Sequence, residues 1–256
     1  MHSELLLYDG TFDGFLTCIF DVFDQRLETV VIQKSDAPQT HLFAEPQTIL
    51  TDEDKAHRVW NGLKKKLPAH GYNQLYYTFL SELDEVEPLL LDFMTRAFRS
   101  THDLSKDFSD PTVLRISQIA KMVGREKHRM EAFVRFKLTK DGIYFANIEP
   151  DFDVLPLITK HFKSRYADQK WMIYDLKRRY GIFYDLEKVE TVHLEFSEAF
   201  DPTKSDGHYF SNEELDFQTL WKDYFTATNI ASRKNMKLHI RHVPKRYWKY
   251  LSEKQP

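Results

Sequence analysis

Through the first 130 residues the apolar positions repeat with the period of a helix; beyond that point most repeat with the period of a strand. Phe12, Phe15, Leu16, Ile19, Phe20 and Phe23 fall at i, i+3, i+4, i+7, i+8 and i+11, an unbroken apolar stripe. They predict an amphipathic helix entered from the turn Asp9-Gly10-Thr11, with Thr11 or Asp13 as its cap and Cys18 inside it. Residues 5–8 before it and 29–33 after it read as strands, with a second short strand at 41–43. Thr51-Asp52-Glu53-Asp54 resembles a capping box, with acids where a helix N-terminus favours them. Helices are predicted over 52–66, 73–83, 86–100 and, after the aperiodic polar stretch 101–111, over 111–130.

The period then shortens. Residues 132–138 and 143–148 flank Asp141-Gly142, a two-residue hairpin signal. Residues 153–166 read as a helix capped by Asp153, and 171–176, 180–185 and 189–196 as strands. A polar loop follows over 197–212, then helical segments at 213–228, 235–240 and 244–251. This order predicts an α+β fold: a mostly helical part over 1–110, then an antiparallel sheet built on a hairpin–helix–strands unit with C-terminal helices over 111–256, either as two domains or as one continuous one.

Composition narrows the chemistry. With 256 residues, 42% of them apolar, and with 20 Phe and 13 Tyr, the chain can bury a large core. One cysteine excludes a disulfide framework, a thiolate zinc site and a cysteine-held iron–sulfur cluster, and a reducing, cytoplasmic setting is expected. The N-terminus lacks the basic region and apolar length of a signal peptide, and no window is apolar enough to span a membrane. Eight glycines supply no phosphate-binding loop and no dinucleotide fingerprint. No cofactor and no metal site are expected.

Charge is unevenly spread. Residues 112–180 carry 15 Lys and Arg against 8 Asp and Glu, and residues 233–256 carry 8 against 1. Residues 1–111 carry 10 against 19, and 181–232 carry 3 against 11, so the formal charge of −3 hides the pattern. If the two basic stretches meet, they form a positive face on a nearly neutral molecule, which attracts phosphates.

The candidate residues follow from that partition. On the helix ending near Met130, Lys121, Arg125, His128 and Arg129 lie opposite the apolar side, an ordinary solvated face or a binding one. Strand alternation then sets Phe133, Arg135 and Lys137 on one face, and a two-residue turn brings Tyr144 across to it. Cations interleaved with a ring suit a phosphate backbone and stacked bases. Lys177-Arg178-Arg179 joins two strands, where a basic turn is either only a turn or a phosphate contact. Near the C-terminus, Pro244 suits a first helical position; Lys245 and Arg246 point outward while Trp248 and Leu251 dock, Trp248 being also a candidate for stacking. Glu149, Asp151 and Asp153 alternate before a helix, a spacing that serves helix capping or, alternatively, a divalent ion or acid–base pair.

Four blocks carry a resemblance: Tyr8-Asp9-Gly10-Thr11-Phe12-Asp13-Gly14-Phe15-Leu16, His128-Arg129-Met130-Glu131-Ala132-Phe133-Val134-Arg135-Phe136, Ile148-Glu149-Pro150-Asp151-Phe152-Asp153-Val154-Leu155-Pro156 and Pro244-Lys245-Arg246-Tyr247-Trp248. In this order they resemble a bacterial domain-of-unknown-function family labelled "probable DNA metabolism protein". The resemblance implies a DNA-related role, a gene neighbour that is a radical-SAM DNA repair or modification protein, and kinship with domains fused to uracil-DNA-glycosylase-like domains. It supplies no catalytic residues, so catalysis stays open. The expected function is a nucleic-acid-binding accessory protein, DNA favoured, acting with the radical-SAM partner through Arg125, His128, Arg129, Arg135, Lys137, Tyr144, Arg178, Arg179, Lys245, Arg246 and Trp248. The alternatives are a metal-dependent enzyme on nucleic acid or nucleotide using Glu149, Asp151 and Asp153, and a protein–protein adaptor whose acidic N-terminal part docks the partner enzyme.

Overall fold

The computed structural model describes residues 4–37, 46–194, 240 and 243–251. The chain packs as two compact units, Met1–Gly124 and Arg125–Pro256. The division falls inside a helix rather than in the polar loop 101–111.

The first unit is helical around a small sheet. β1 (Glu4–Tyr8) lies between β2 (Val30–Lys34) and β3 (Pro46–Thr48), and both pairings are parallel. α1 (Phe12–Asp24) follows β1; the Thr11 hydroxyl caps it by accepting from the Gly14 N–H at 2.9 Å. Its apolar stripe buries Phe15, Leu16 and Ile19. Cys18 is wholly buried there, and burial pushes its thiol up to about 12, the property of an unreactive cysteine. α2 (Glu53–Lys66) starts at Asp52, whose side chain accepts from the Lys55 N–H. α3 (Ala69–Phe79), α4 (Val86–Arg99) and the first part of α5 (Pro111–Phe133) complete the unit. The parallel sheet was not legible in the strand pattern, and the expected strand at 41–43 lies outside the described residues.

The second unit carries the five-stranded sheet β4 (Lys137–Leu138), β5 (Tyr144–Ile148), β6 (Trp171–Asp175), β7 (Tyr180–Tyr184) and β8 (Val189–Val192), ordered as in the chain. Three of its four pairings are antiparallel, which gives the α+β class expected from the element order. β5 and β6 are parallel because α6 (Leu155–Arg165) crosses between them. Phe136, Phe162, Trp171 and Tyr184 pack as one aromatic cluster between α6 and the sheet, with ring centroids 5.5–6.3 Å apart. Each fully buried side chain of this kind contributes about 2–3 kcal/mol.

Three expectations in this unit are corrected. α5 runs through Phe133, so the expected strand 132–138 shrinks to Lys137–Leu138. The hairpin loop has three residues rather than two: Thr139 donates to the Ile143 carbonyl at 3.0 Å, Gly142 takes φ +78°, and Leu138 faces Tyr144. That one-residue change moves Tyr144 off the face of Lys137, which pairs with Phe145 instead. Finally, α6 is entered through Val154 without a side-chain cap. The Asp153 carboxylate accepts from the Tyr180 hydroxyl at 2.5 Å.

Gly181 tests this sheet. A Cβ there would sit 2.8 Å from the Ile173 carbonyl oxygen and 3.3 Å from the Tyr174 Cα, both backbone atoms of β6. Gly181→Ala is therefore expected to destabilise the fold by about 1–3 kcal/mol, read as a lower urea midpoint. An unchanged midpoint would contradict the β6–β7 packing.

Candidate functional site

At one corner of the second unit, three segments separated in sequence meet: the last turns of α5, the loop from Glu149 to Asp153 after β5, and the C-terminal 3₁₀ helix Lys245–Tyr250. The turn between β6 and β7 joins them. The second, third and fourth blocks noted in the sequence thus come together.

Glu126 is the centre. Its side chain is only 2% exposed. It accepts from the Asp151 backbone N–H at 2.9 Å, from Arg246 Nη2 at 3.1 Å, from Arg129 Nη1 at 3.3 Å and from the Tyr247 hydroxyl. Burial first, and the Glu126 hydrogen bond next, raise the Tyr247 phenol, so it stays a donor. Arg246 Nη2 also reaches Asp151 Oδ2 at 2.6 Å. Glu149 Oε2 takes the Tyr250 hydroxyl at 2.7 Å and Lys249 Nζ. Those two donors, Lys249 foremost, hold the Glu149 carboxyl below its ordinary 4.5.

The basic turn is built on a buried acid. Asp175, wholly buried at the end of β6, accepts from the backbone N–H of Lys177 at 2.9 Å and of Arg178 at 3.2 Å, and from Arg178 Nη1 at 2.7 Å. Arg178 also donates to the carbonyls of Pro150 at 3.2 Å and Asp151 at 3.1 Å, and Lys177 Nζ to Asp151 at 3.0 Å. The Arg178 side chain is 8% exposed, so it acts as an internal strut. Between these elements lies an open depression of about 530 Å³ lined by Glu149, Pro150, Asp151, Lys177, Lys245, Arg246 and Lys249.

The other sequence candidates divide as follows. Lys245 and Arg246 line the depression. Arg129 pairs with Glu126 behind it. Arg125 and Arg179 are exposed, Arg179 with φ +58° in the turn. His128 is exposed, 4.0 Å from Glu131. Arg135 donates to the Ala132 and Val134 carbonyls at the end of α5, where a cation suits the helix dipole. Lys137 is 9% exposed in its strand. Tyr144 lies on the other strand face. The half-buried Trp248 donates its indole N–H to the Val243 carbonyl at 3.0 Å. Lys177 entered the sequence reading as part of the basic turn without being singled out as a contact, and Lys249 was not singled out; both line the depression. The three alternating acids do not form one group: Glu149, facing Lys249 and Tyr250, and Asp151, facing Arg246, border the depression, whereas Asp153 faces Tyr180. Among the described residues no three His, Cys, Asp or Glu side chains come close enough to hold a metal ion.

Residues 84–253 match the model of a family described as a domain of unknown function, DUF4130. The matched span includes the second, third and fourth blocks and leaves out the first. No curated protein matches the chain. Among solved structures, a pGpG-specific phosphodiesterase, PggH from Vibrio cholerae, aligns over 72% of this chain and 81% of its own, with 9% identity and a TM-score of 0.36. That likeness is too distant to bear on chemistry.

Two outcomes are expected of this corner. Glu126→Ala leaves Arg246, Arg129 and the Tyr247 hydroxyl without their shared acceptor, so stability should fall by about 2 kcal/mol in urea unfolding. A change within experimental error would show that the carboxylate does not tie the segments together. Glu149 gives a pH signature. Its folded-state pKa is depressed, so its contribution is present above the ordinary 4.5 and is lost as pH falls through the depressed value. The stability difference between wild type and Glu149→Gln should therefore shrink as pH falls from 4.5 toward the depressed value, and a difference constant with pH would count against the pairing.

Proposed function

The chain belongs to the DUF4130 family of domains of unknown function, and from that premise we propose that its second unit is a nucleic-acid-binding module serving DNA metabolism. The supporting observation is convergence. Lys177 from the β6–β7 turn and Lys245, Arg246 and Lys249 from the 3₁₀ helix, distant in sequence, line a single depression. Exposed Lys245 has no ion pair among the described residues, and exposed Arg179 stands in the same turn as Lys177. Cations gathered on one concave surface suit phosphate oxygens.

The contact set is smaller than charge counting suggests. Arg129 and Arg178 serve buried acids, and Arg246 and Lys249 each share their charge with a carboxylate. Lys177, Lys245 and Arg246 are the cations assigned to phosphate. A radical-SAM DNA repair or modification protein is the partner that the sequence resemblance implies, with this chain in the accessory role.

The experiment is a DNA titration at several salt concentrations. With three phosphates contacted, log affinity should fall against log salt with a slope of about −3 on duplex and about −2 on a single strand. Lys245→Ala should reduce the slope by about 1 and weaken all sequences alike. Binding that ignores salt, or no binding at all, would remove the reading.

A further inference from the structure

The depression is not uniformly basic, and its two acids need an account. Glu149 and Asp151 line it together with the four cations, their side chains 40% and 48% exposed. A polyphosphate chain laid across the whole surface would meet both carboxylates and be repelled. Each acid is anchored through one oxygen only: Glu149 Oε2 holds Tyr250 and Lys249, and Asp151 Oδ2 holds Arg246. Among the described residues no donor reaches Glu149 Oε1 or Asp151 Oδ1. The result is two oriented, unfilled acceptors beside cations. A ligand that satisfies the wall must carry both phosphate oxygens and N–H donors.

Nucleotides divide cleanly on that requirement. Cytosine N4 is a donor that Asp or Glu accepts, whereas thymine sets an acceptor, O4, at the same position of the ring. The volume of about 530 Å³ is that of a small-molecule site rather than of a duplex groove. A base reaching it must leave the stack, which costs least in a single strand. We infer that the depression selects an unpaired base bearing an exocyclic amine, cytosine foremost, through Glu149 and Asp151, while Lys177 and Lys245 hold its flanking phosphates. This inference rests on the phosphate-binding reading above.

The test is fluorescence anisotropy of the full chain with labelled oligo(dC) and oligo(dT) of equal length. It is run at one salt concentration and above neutral pH, where cytosine is unprotonated. Oligo(dC) should bind about tenfold more tightly, a ratio in the range of one specific base contact. Glu149→Gln, with folding checked by circular dichroism, should lower that ratio toward one. Equal affinities, or tighter oligo(dT), with salt dependence intact overturn the base selection and leave the phosphate reading standing. If neither oligonucleotide binds, both fall. The wild-type ratio decides the matter even if the variant does not fold.

Discussion

A buried carboxylate is costly unless donors surround it, and the second unit is arranged around that constraint at Glu126. Removing an ionised carboxyl from water costs several kcal/mol even after relaxation. Here the charge is met by one backbone N–H, two guanidinium groups and a phenol. No single segment could supply these donors. α5 supplies Arg129, the loop after β5 supplies the Asp151 N–H, and the 3₁₀ helix supplies Arg246 and Tyr247. Three pieces of chain are thereby held in one geometry, with Phe133 of α5 packed 5.6 Å from the Tyr247 ring beside the carboxylate. The depression's walls derive from it, because Asp151 and Arg246 are both wall residues and Glu126 ligands.

Asp175 repeats the device on the other side. Burial pushes its carboxyl above the usual range, and the Arg178 guanidinium works against that rise. Since Arg178 also grips the carbonyls of Pro150 and Asp151, the β6–β7 turn and the loop after β5 form one rigid rim. Guanidinium suits this task better than ammonium, because its planar donors reach a carboxylate and two carbonyls at once. Lys177, Lys245 and Lys249, each a compact ammonium, stand on the open wall beside Arg246.

How much of this could be read beforehand depended on range. The α1 stripe was legible because helix burial is local: Phe15, Leu16 and Ile19 had to share a side, and they are buried together. The helices after Asp52 and the strands from Trp171 to Val192 were legible for the same reason. Tyr144 was not. Asp141-Gly142 looks like a two-residue turn, yet the ladder closes around a three-residue loop with Gly142 in the left-handed region, and one residue of register reverses every face. The parallel pairing of β1 with β2 and β3 was also hidden, since short strands carry no signature of direction. Within the site, the basic runs pointed to the segments that line the depression, Lys245 and Arg246 included, but not to which cations are tied up inside the protein. Arg178, Arg129 and Arg135 looked exposed only because their acceptors, a buried aspartate, a buried glutamate and helix-end carbonyls, are visible in three dimensions alone.

The mixed sign of the depression changes what kind of binding the unit supports. A uniform cationic groove gains affinity from every phosphate, and its long-range field draws in any polyanion. Here four cations face two acids on the wall, and the Arg129 and Arg178 guanidinium groups nearby are paired with Glu126 and Asp175. The field beyond about one Debye length, roughly 8 Å at physiological salt, is correspondingly weak. On the proposed nucleic-acid reading, long-range attraction is then modest, and affinity comes from short contacts to phosphate and base in which donors and acceptors match. Surfaces that carry repulsive groups beside attractive ones give up strength and gain discrimination. Part of that loss is built into the fold, because Glu149 and Asp151, which temper the surface, are also the groups that hold Lys249 and Arg246 in place.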